Sequence, residues 1–193
     1  MGVSERKKRL RDERERRIVE AARQVAEREG WGAVTIRRLA DEIEYSQPVL
    51  YTHYASREAI VAAVAVQGFV EITKVLRDAV RGARDAVEAA TRAARAYLGF
   101  AADHPAVYEA MFVLPTGLCF GRDETVAPLR EAFAALAAIV APFRSQSGAE
   151  SGAATEFFWS ALHGLAELDR TGRIRPEARS ERLELLIRAL VRS

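Results

Sequence analysis

The sequence predicts an all-α protein of about nine helices, and three observations carry that expectation. Apolar residues recur at spacings of three and four, strong helix formers (Ala, Leu, Arg, Glu) fill the stretches between them, and helix-starting and helix-stopping residues punctuate the chain. No segment shows the strict alternation of a half-buried strand. With 193 residues, 49% hydrophobic and 29% charged, the chain is long and apolar enough to bury a substantial core, which excludes a disordered chain or a disulfide-stapled miniprotein.

The first helix is expected over about residues 10–29, where Ile18, Ala21, Ala22, Val25 and Ala26 share a face and Gly30 supplies the stop. Thr35 is placed to cap a second helix over Ile36 to Ile43. Ser46 is placed to cap a third that runs to about Tyr54, with Pro48 in its first turn, where no hydrogen bond is lost. The three residues between them, Glu44-Tyr45-Ser46, have the length of a helix-turn-helix turn. Ser56 opens a long fourth helix to about Gly82, and further helices are expected at about 85–103, 105–113, 125–143, 150–171 and 176–191. Their breaks fall at Asp103-His104-Pro105, Pro115-Thr116-Gly117, Gly121-Arg122-Asp123, Ser145-Gln146-Ser147-Gly148 and Thr171-Gly172 before Pro176. The expected organisation is a helix-turn-helix domain over 1–55 joined by the long helix to a helical body over 56–193.

Charge is distributed unevenly. Residues 1–57 hold 13 Lys+Arg against 10 Asp+Glu, the remainder 16 against 17, and residues 1–17 alone hold eight basic and four acidic side chains. A basic end on a neutral body fits a polyanion contacted by one end, and fits equally a solvated helix face laced with Glu–Arg pairs. The single cysteine, Cys119, permits no internal disulfide and no multi-cysteine metal site, as in a reducing cytoplasm. The charged N-terminus lacks a signal peptide's apolar run, and charged residues interrupt every apolar stretch before the ~18 residues of a membrane span. A cytoplasmic protein with no membrane partner and no cofactor is expected.

A recognition helix needs small or polar residues in its first turn and apolar residues behind them. Ser46 to Tyr54 supplies both, with Leu50 and Tyr54 facing inward and Gln47, Val49, Tyr51, Thr52 and His53 on or around the outer side. The segment TIRRLADEIEYSQPVLYTHYASREAI resembles the DNA-binding end of the TetR (tetracycline-repressor) family of bacterial regulators. The resemblance covers about residues 12–62, and Tyr51-x-His53-Tyr54-x-x-Arg57-Glu58 is its most specific part. It implies that Arg37, Gln47, Pro48, Val49 and Tyr51 approach bases and that Thr35, Tyr51, Thr52, His53 and Arg57 lie near phosphates. The chemistry is compatible: Arg37 can grip guanine, Gln47 can pair with a base edge, and Val49 or Pro48 can touch a thymine methyl. Glu44 stands where the family usually has Gly, and Tyr45 where it has a small apolar residue. A side chain at a left-handed position implies strain or an altered turn, and a carboxylate there would weaken contact with phosphates.

In the helical body, Tyr97, Phe100, Tyr108, Met111, Phe112 and Phe133 are core residues or line a cavity; the residues alone leave both readings open. In FFWSALHGLAELDRTGRI, Phe157, Ala161, Gly164, Leu165 and Leu168 share a face whose small members allow close helix approach, a prospective dimer seam. Trp159 and His163, one turn apart, suit either a ligand contact or a buried, hydrogen-bonded pair. Trp159-Ser160-Ala161-Leu162-His163-Gly164 resembles the Trp-x-x-x-His-Gly signature of one C-terminal subgroup of the same family. That resemblance implies a ligand-binding and dimerisation domain whose last two helices pair across a dimer, the final one presenting Leu183, Leu186, Ile187 and Leu190.

The expected function is therefore a homodimeric regulator, most naturally a repressor, of double-stranded operator DNA that is released by a small apolar or amphipathic effector. The alternatives are a ligand-independent DNA-binding protein and, remotely, a metal-dependent enzyme. His163 and Glu167 stand four apart on one helix, but a catalytic metal site needs a third ligand. No catalytic carboxylate pair or nucleophile-base arrangement points to enzyme chemistry.

Overall fold

A computed structural model describes residues 2–146 and 151–192. Among them are nine α-helices: α1 (Val3–Glu29), α2 (Ile36–Glu42), α3 (Gln47–Tyr51), α4 (Arg57–Ala79), α5 (Ala86–Asp103), α6 (Pro105–Phe112), α7 (Ala127–Val140), α8 (Ser151–Arg170) and α9 (Arg179–Arg192). Short 3₁₀ turns lie at Trp31–Ala33, Ala141–Gln146 and Pro176–Ala178, and the described residues contain no strand.

Four differences from the sequence expectation have local causes. α1 begins seven residues early because its first turns need no apolar face: Arg11–Glu15 and Arg16–Glu13 ion pairs and strong helix formers hold a solvent-facing rod. α3 ends at Tyr51 rather than Tyr54, since the chain tightens there and the Thr52 hydroxyl donates back to the Val49 carbonyl at 2.6 Å. Ser46 occupies the cap position of α3 but makes no side-chain cap bond, whereas Thr35 accepts from the Arg38 N–H at 3.1 Å and Ser56 from the Ala59 N–H at 3.2 Å. α4, contrary to the charge-interruption argument, is long and apolar enough by length and composition to cross a membrane. Half of that apolar window is buried inside the fold, as in the core helix of a globular protein. Ser147 and Gly148, part of one expected break, lie outside the described residues.

The chain forms two compact units, residues 1–68 with 104–119, and residues 69–103 with 120–193. The dividing point between these units falls within α4, and α6 belongs with the N-terminal helices. In the first unit Ile18, Ala22, Val25, Leu39, Leu50, Ile60 and Val64 are buried together with Val107 and Tyr108 of α6. α6 is fastened to α1 by polar contacts at its N-terminus. The Glu27 carboxylate accepts the Ala106 and Val107 N–H groups at 3.2 and 3.3 Å, satisfying unpaired donors and facing the positive end of the helix dipole. Trp31 Nε1 donates to the Ala106 carbonyl at 2.8 Å in a buried position. Gly68 of α4 faces the same helix, and a Cβ there would lie 2.5 Å from Met111 Sδ and 2.6 Å from Val107 Cγ1.

In the second unit α5 packs on α7, α8 and α9, burying Ala90, Ala93, Ala94, Tyr97 and Phe100 against Leu136, Phe158, Leu162, Leu183 and Ile187. At the start of α5, Arg84 and Arg92 hydrogen bonds hold the Glu88 carboxyl down at about 2.

Candidate nucleic-acid interface

α3 is seated by one side chain and exposed on the others. Leu50 is fully buried, while Gln47, Pro48 and Thr52 are exposed, Val49 is partly exposed and Tyr51 has 54% of its surface in solvent. An aromatic ring left open to solvent beside a polar first turn is unusual for a core residue and suited to a groove-facing one.

Both flanks of α3 are tied to α1. Before it, Arg17 Nη1 donates to the Tyr45 hydroxyl at 3.1 Å, and the guanidinium carbon lies 5.1 Å from the Tyr45 ring centre. After it, His53 Nδ1 lies 3.4 Å from Glu15 Oε1, an oxygen that also accepts from Arg11 Nε at 2.8 Å. Those contacts, the Arg11 bond foremost, hold the Glu15 carboxyl below its usual range. Burial, aided by the Glu15 charge, pushes the neighbouring Tyr54 phenol up to about 12.

The turn itself bends through Glu44, whose φ of 57° is the only positive value at a non-glycine among the described residues. The Tyr45 N–H then donates to the Ala40 carbonyl at 2.9 Å, closing α2 as the left-handed residue reverses the chain.

Of the two adjacent arginines in α2, Arg38 is occupied: it donates to Glu29 Oε1 at 3.1 Å and lies 3.5 Å from Glu42 Oε2. Arg37 is exposed and has no ion-pair partner among the described residues. Thr35 is exposed beside it as the cap of α2. Two residues that the resemblance sets near phosphates are engaged within the fold. The His53 side chain is only 6% exposed, and Arg57 donates to the carbonyls of Val34 and Trp31 at 2.7 and 2.6 Å, locking the loop before α2 to the start of α4.

Two family descriptions match this chain: "Bacterial regulatory proteins, tetR family" over residues 18–64 and "Tetracyclin repressor-like, C-terminal domain" over residues 90–190. The second alone spans more than half of the sequence. The chain belongs to the TetR family. It is similar to the HTH-type transcriptional regulator Rv0681 of Mycobacterium tuberculosis, 37% identical over 80% of this chain and 69% of that protein. Among solved structures, the TetR fold recurs in a protein of unknown function from Rhodococcus sp. RHA1, at TM-score 0.76, 22% identity and coverage of 92% of this chain and 93% of that one. It recurs also in the TetR family regulator PfmR of Thermus thermophilus, at TM-score 0.59, 19% identity and coverage of 90% and 94%. As a TetR-family member the protein is a transcriptional regulator with a DNA-binding helix-turn-helix, α2–turn–α3.

The residues singled out in the helical body separate between the two units. Tyr97, Phe100, Phe133, Trp159 and His163 lie in the second unit, whereas Tyr108, Met111 and Phe112 lie with the DNA-binding helices. Within the second unit Trp159 Nε1 donates to the Tyr97 hydroxyl at 3.1 Å, and the Trp159 and His163 rings stand 6.3 Å apart. Burial pushes the His163 imidazole down, favouring its neutral form. Phe133 on α7 keeps 37% of its surface in solvent. In the first unit the Tyr108 and Phe112 rings lie 4.8 Å apart, tilted by 57°, and Met111 is buried beneath α4. No group of three His, Cys, Asp or Glu side chains among the described residues is arranged to hold a metal ion.

On α8, Phe157 is 60% exposed and Leu168 is exposed as well, with Ala161, Gly164 and Leu165 half-covered. A Cβ on Gly164 would meet nothing within 4 Å, so its own chain does not require a glycine there. Leu183, Leu186, Ile187 and Leu190 of α9 are buried within their own unit, and the large apolar side chain that helix leaves exposed is Leu185, at 55%. Sequence periodicity singles out the buried stripe of an amphipathic helix, so an apolar residue isolated on the opposite face escapes it.

Proposed function

We propose that the protein is a repressor that binds a palindromic operator as a homodimer and is released by a small apolar or amphipathic effector. The observation that carries the DNA reading is the seating of α3: Leu50 is buried while Gln47, Pro48 and Tyr51 remain open, beside the unpaired Arg37. Arg37, Gln47, Pro48, Val49 and Tyr51 face base edges, and Thr35 and Thr52 offer hydroxyls to phosphates, which set register rather than sequence. His53 and Arg57 act as positioning residues, holding α3 and the start of α4 in place. The exposed seam of α8, with Leu185 of α9, pairs two copies and sets two α3 helices against successive major-groove segments.

The effector reading rests on the polar-tipped aromatic group Tyr97–Trp159–His163, set in an otherwise apolar helical layer. An effector preferring a form whose paired heads no longer match the operator lowers DNA affinity by its differential binding energy, and α4, shared by both units, is the element that carries the change.

The test is selection of bound fragments from a random duplex library by the purified protein, followed by the same selection with Arg37→Ala. The expected result is a palindromic consensus for the wild type and, for Arg37→Ala, relaxed preference at one symmetric base pair with a loss of about 1–3 kcal/mol. Recovery of no consensus by the wild type would refute the proposal.

A further inference from the structure

α3 is too short to hold itself. It has five residues, fewer than two turns, and a helix of that length gains little from its own hydrogen bonds. Its start is poorly furnished as well: Ser46 makes no side-chain cap bond, and Glu44 just before it sits at φ 57°. The buried Leu50 anchors the helix near its C-terminal end, which sets its depth on the domain. The direction of the first turn, which carries Gln47 and Pro48, depends on what holds the residues just before it.

Two ties reach that place, and both belong to Tyr45. Its N–H donates to the Ala40 carbonyl at 2.9 Å, fixing the backbone to α2. Its side chain crosses to α1, where Arg17 Nη1 donates to the hydroxyl at 3.1 Å and the guanidinium carbon lies over the ring, 5.1 Å from its centre. The neighbouring Arg11 and Arg16 pair with Glu15 and Glu13 of their own helix. Arg17 forms no ion pair among the described residues and instead reaches a side chain 28 positions away. The His53–Glu15 contact follows α3 and restrains its other end.

We propose that Tyr45, held by Arg17, is a positioning residue for base reading: it sets the angle at which Gln47 and Pro48 in the first turn of α3 meet the groove. The inference rests on the assignment of α3 as the reading helix. Loss of the pair costs discrimination between sequences rather than affinity for DNA as such, because base edges are read by geometry whereas phosphates are the same at every site.

The test compares the full chain with Tyr45→Ala, Tyr45→Phe, Arg17→Met and the double variant Arg17→Met/Tyr45→Ala. Each is titrated across a salt series with a duplex selected by the wild type and a random duplex of equal length. The readout is the ratio of the two affinities, in which any loss of folded protein cancels. Tyr45→Ala changes no charge and is expected to lower the ratio about tenfold, the worth of one good base contact, with random-duplex affinity and salt slope unchanged. Tyr45→Phe keeps the ring beneath the guanidinium and should lower the ratio less; it decides the question by the same ratio if Tyr45→Ala fails to fold. Arg17→Met should also lower the ratio, and the double variant should lose no more than Tyr45→Ala alone, since the two side chains act as one. Equal losses with both duplexes in Tyr45→Ala would reduce the pair to a support of the fold and overturn the inference. Additive losses in the double variant overturn it too. So does an Arg17→Met protein whose salt slope falls by about 0.9 while its ratio holds, the mark of a direct phosphate contact. Each of these leaves the α3 assignment standing, whereas failure of the wild type to select any duplex overturns both.

Discussion

Glu44 concentrates two opposing costs in one residue. Its φ of 57° places a side chain where glycine is at ease, and its carboxylate stands in the turn that leads into the reading helix. Glu44→Gly is expected to raise stability by about 1 kcal/mol in urea unfolding, the relief of left-handed strain outweighing the extra freedom glycine gives the unfolded chain. The same change should tighten binding to selected and random duplexes alike by removing a negative charge. A weaker fold would mean that the Glu44 side chain contributes more than its backbone costs. Tyr54 gives a pH signature: its neutral phenol is favoured in the fold, with its pKa raised to about 12 from the ordinary 10.0. That contribution to stability is complete below pH 10 and disappears as pH rises through 12, since the unfolded chain ionises first. Ultraviolet titration should show a phenolate appearing near pH 12 that is absent in Tyr54→Phe. Much of this site was legible in the sequence, because Leu50 and the polar residues around it announce opposite faces of one short helix. The engagement of His53 with Glu15 and of Arg57 with the Trp31 and Val34 carbonyls was not, since those partners lie between 23 and 38 residues away and no local spacing encodes them.

At the scale of elements, α6 is the least expected placement. Its sequence, opened by Pro105, predicted a helix of the C-terminal body, yet Glu27, Trp31 and Gly68 bind it to the DNA-binding helices. Periodicity identifies which face of a helix is apolar but not which neighbour covers it, so the helix was legible and its allegiance was not. Gly68 tests how closely α4 must approach it. In Gly68→Ala the added methyl meets Met111, whose chain can bend aside, and also Val107 Cγ1 at 2.6 Å, which is branched at Cβ and fully buried. The expected cost is about 1–3 kcal/mol in denaturant unfolding, recovered in part by Val107→Ala in the same chain. Additive losses in the double variant would place the strain elsewhere.

For the whole molecule, the decisive question is what covers α8. Phe157, Ala161, Gly164 and Leu168 fall on one stripe, and the chain leaves the space over Gly164 open, although glycine inside a helix costs about 1 kcal/mol relative to alanine. That cost is offset if a second copy brings its own helix against the gap, since close backbone approach requires the missing side chain. Gly164→Leu separates these contributions by sign. Within one subunit leucine improves helix propensity and strikes nothing, so helical content should persist; between subunits it holds the two seams apart. Sedimentation equilibrium should then show the dimer dissociating at concentrations where the wild type stays paired, and affinity for a palindromic duplex should fall while affinity for a single half-site is retained. A Gly164→Leu protein that remains dimeric and binds the palindrome undiminished would move the interface off this seam. The exposed Phe157 and Leu185 would then need a different explanation from self-association.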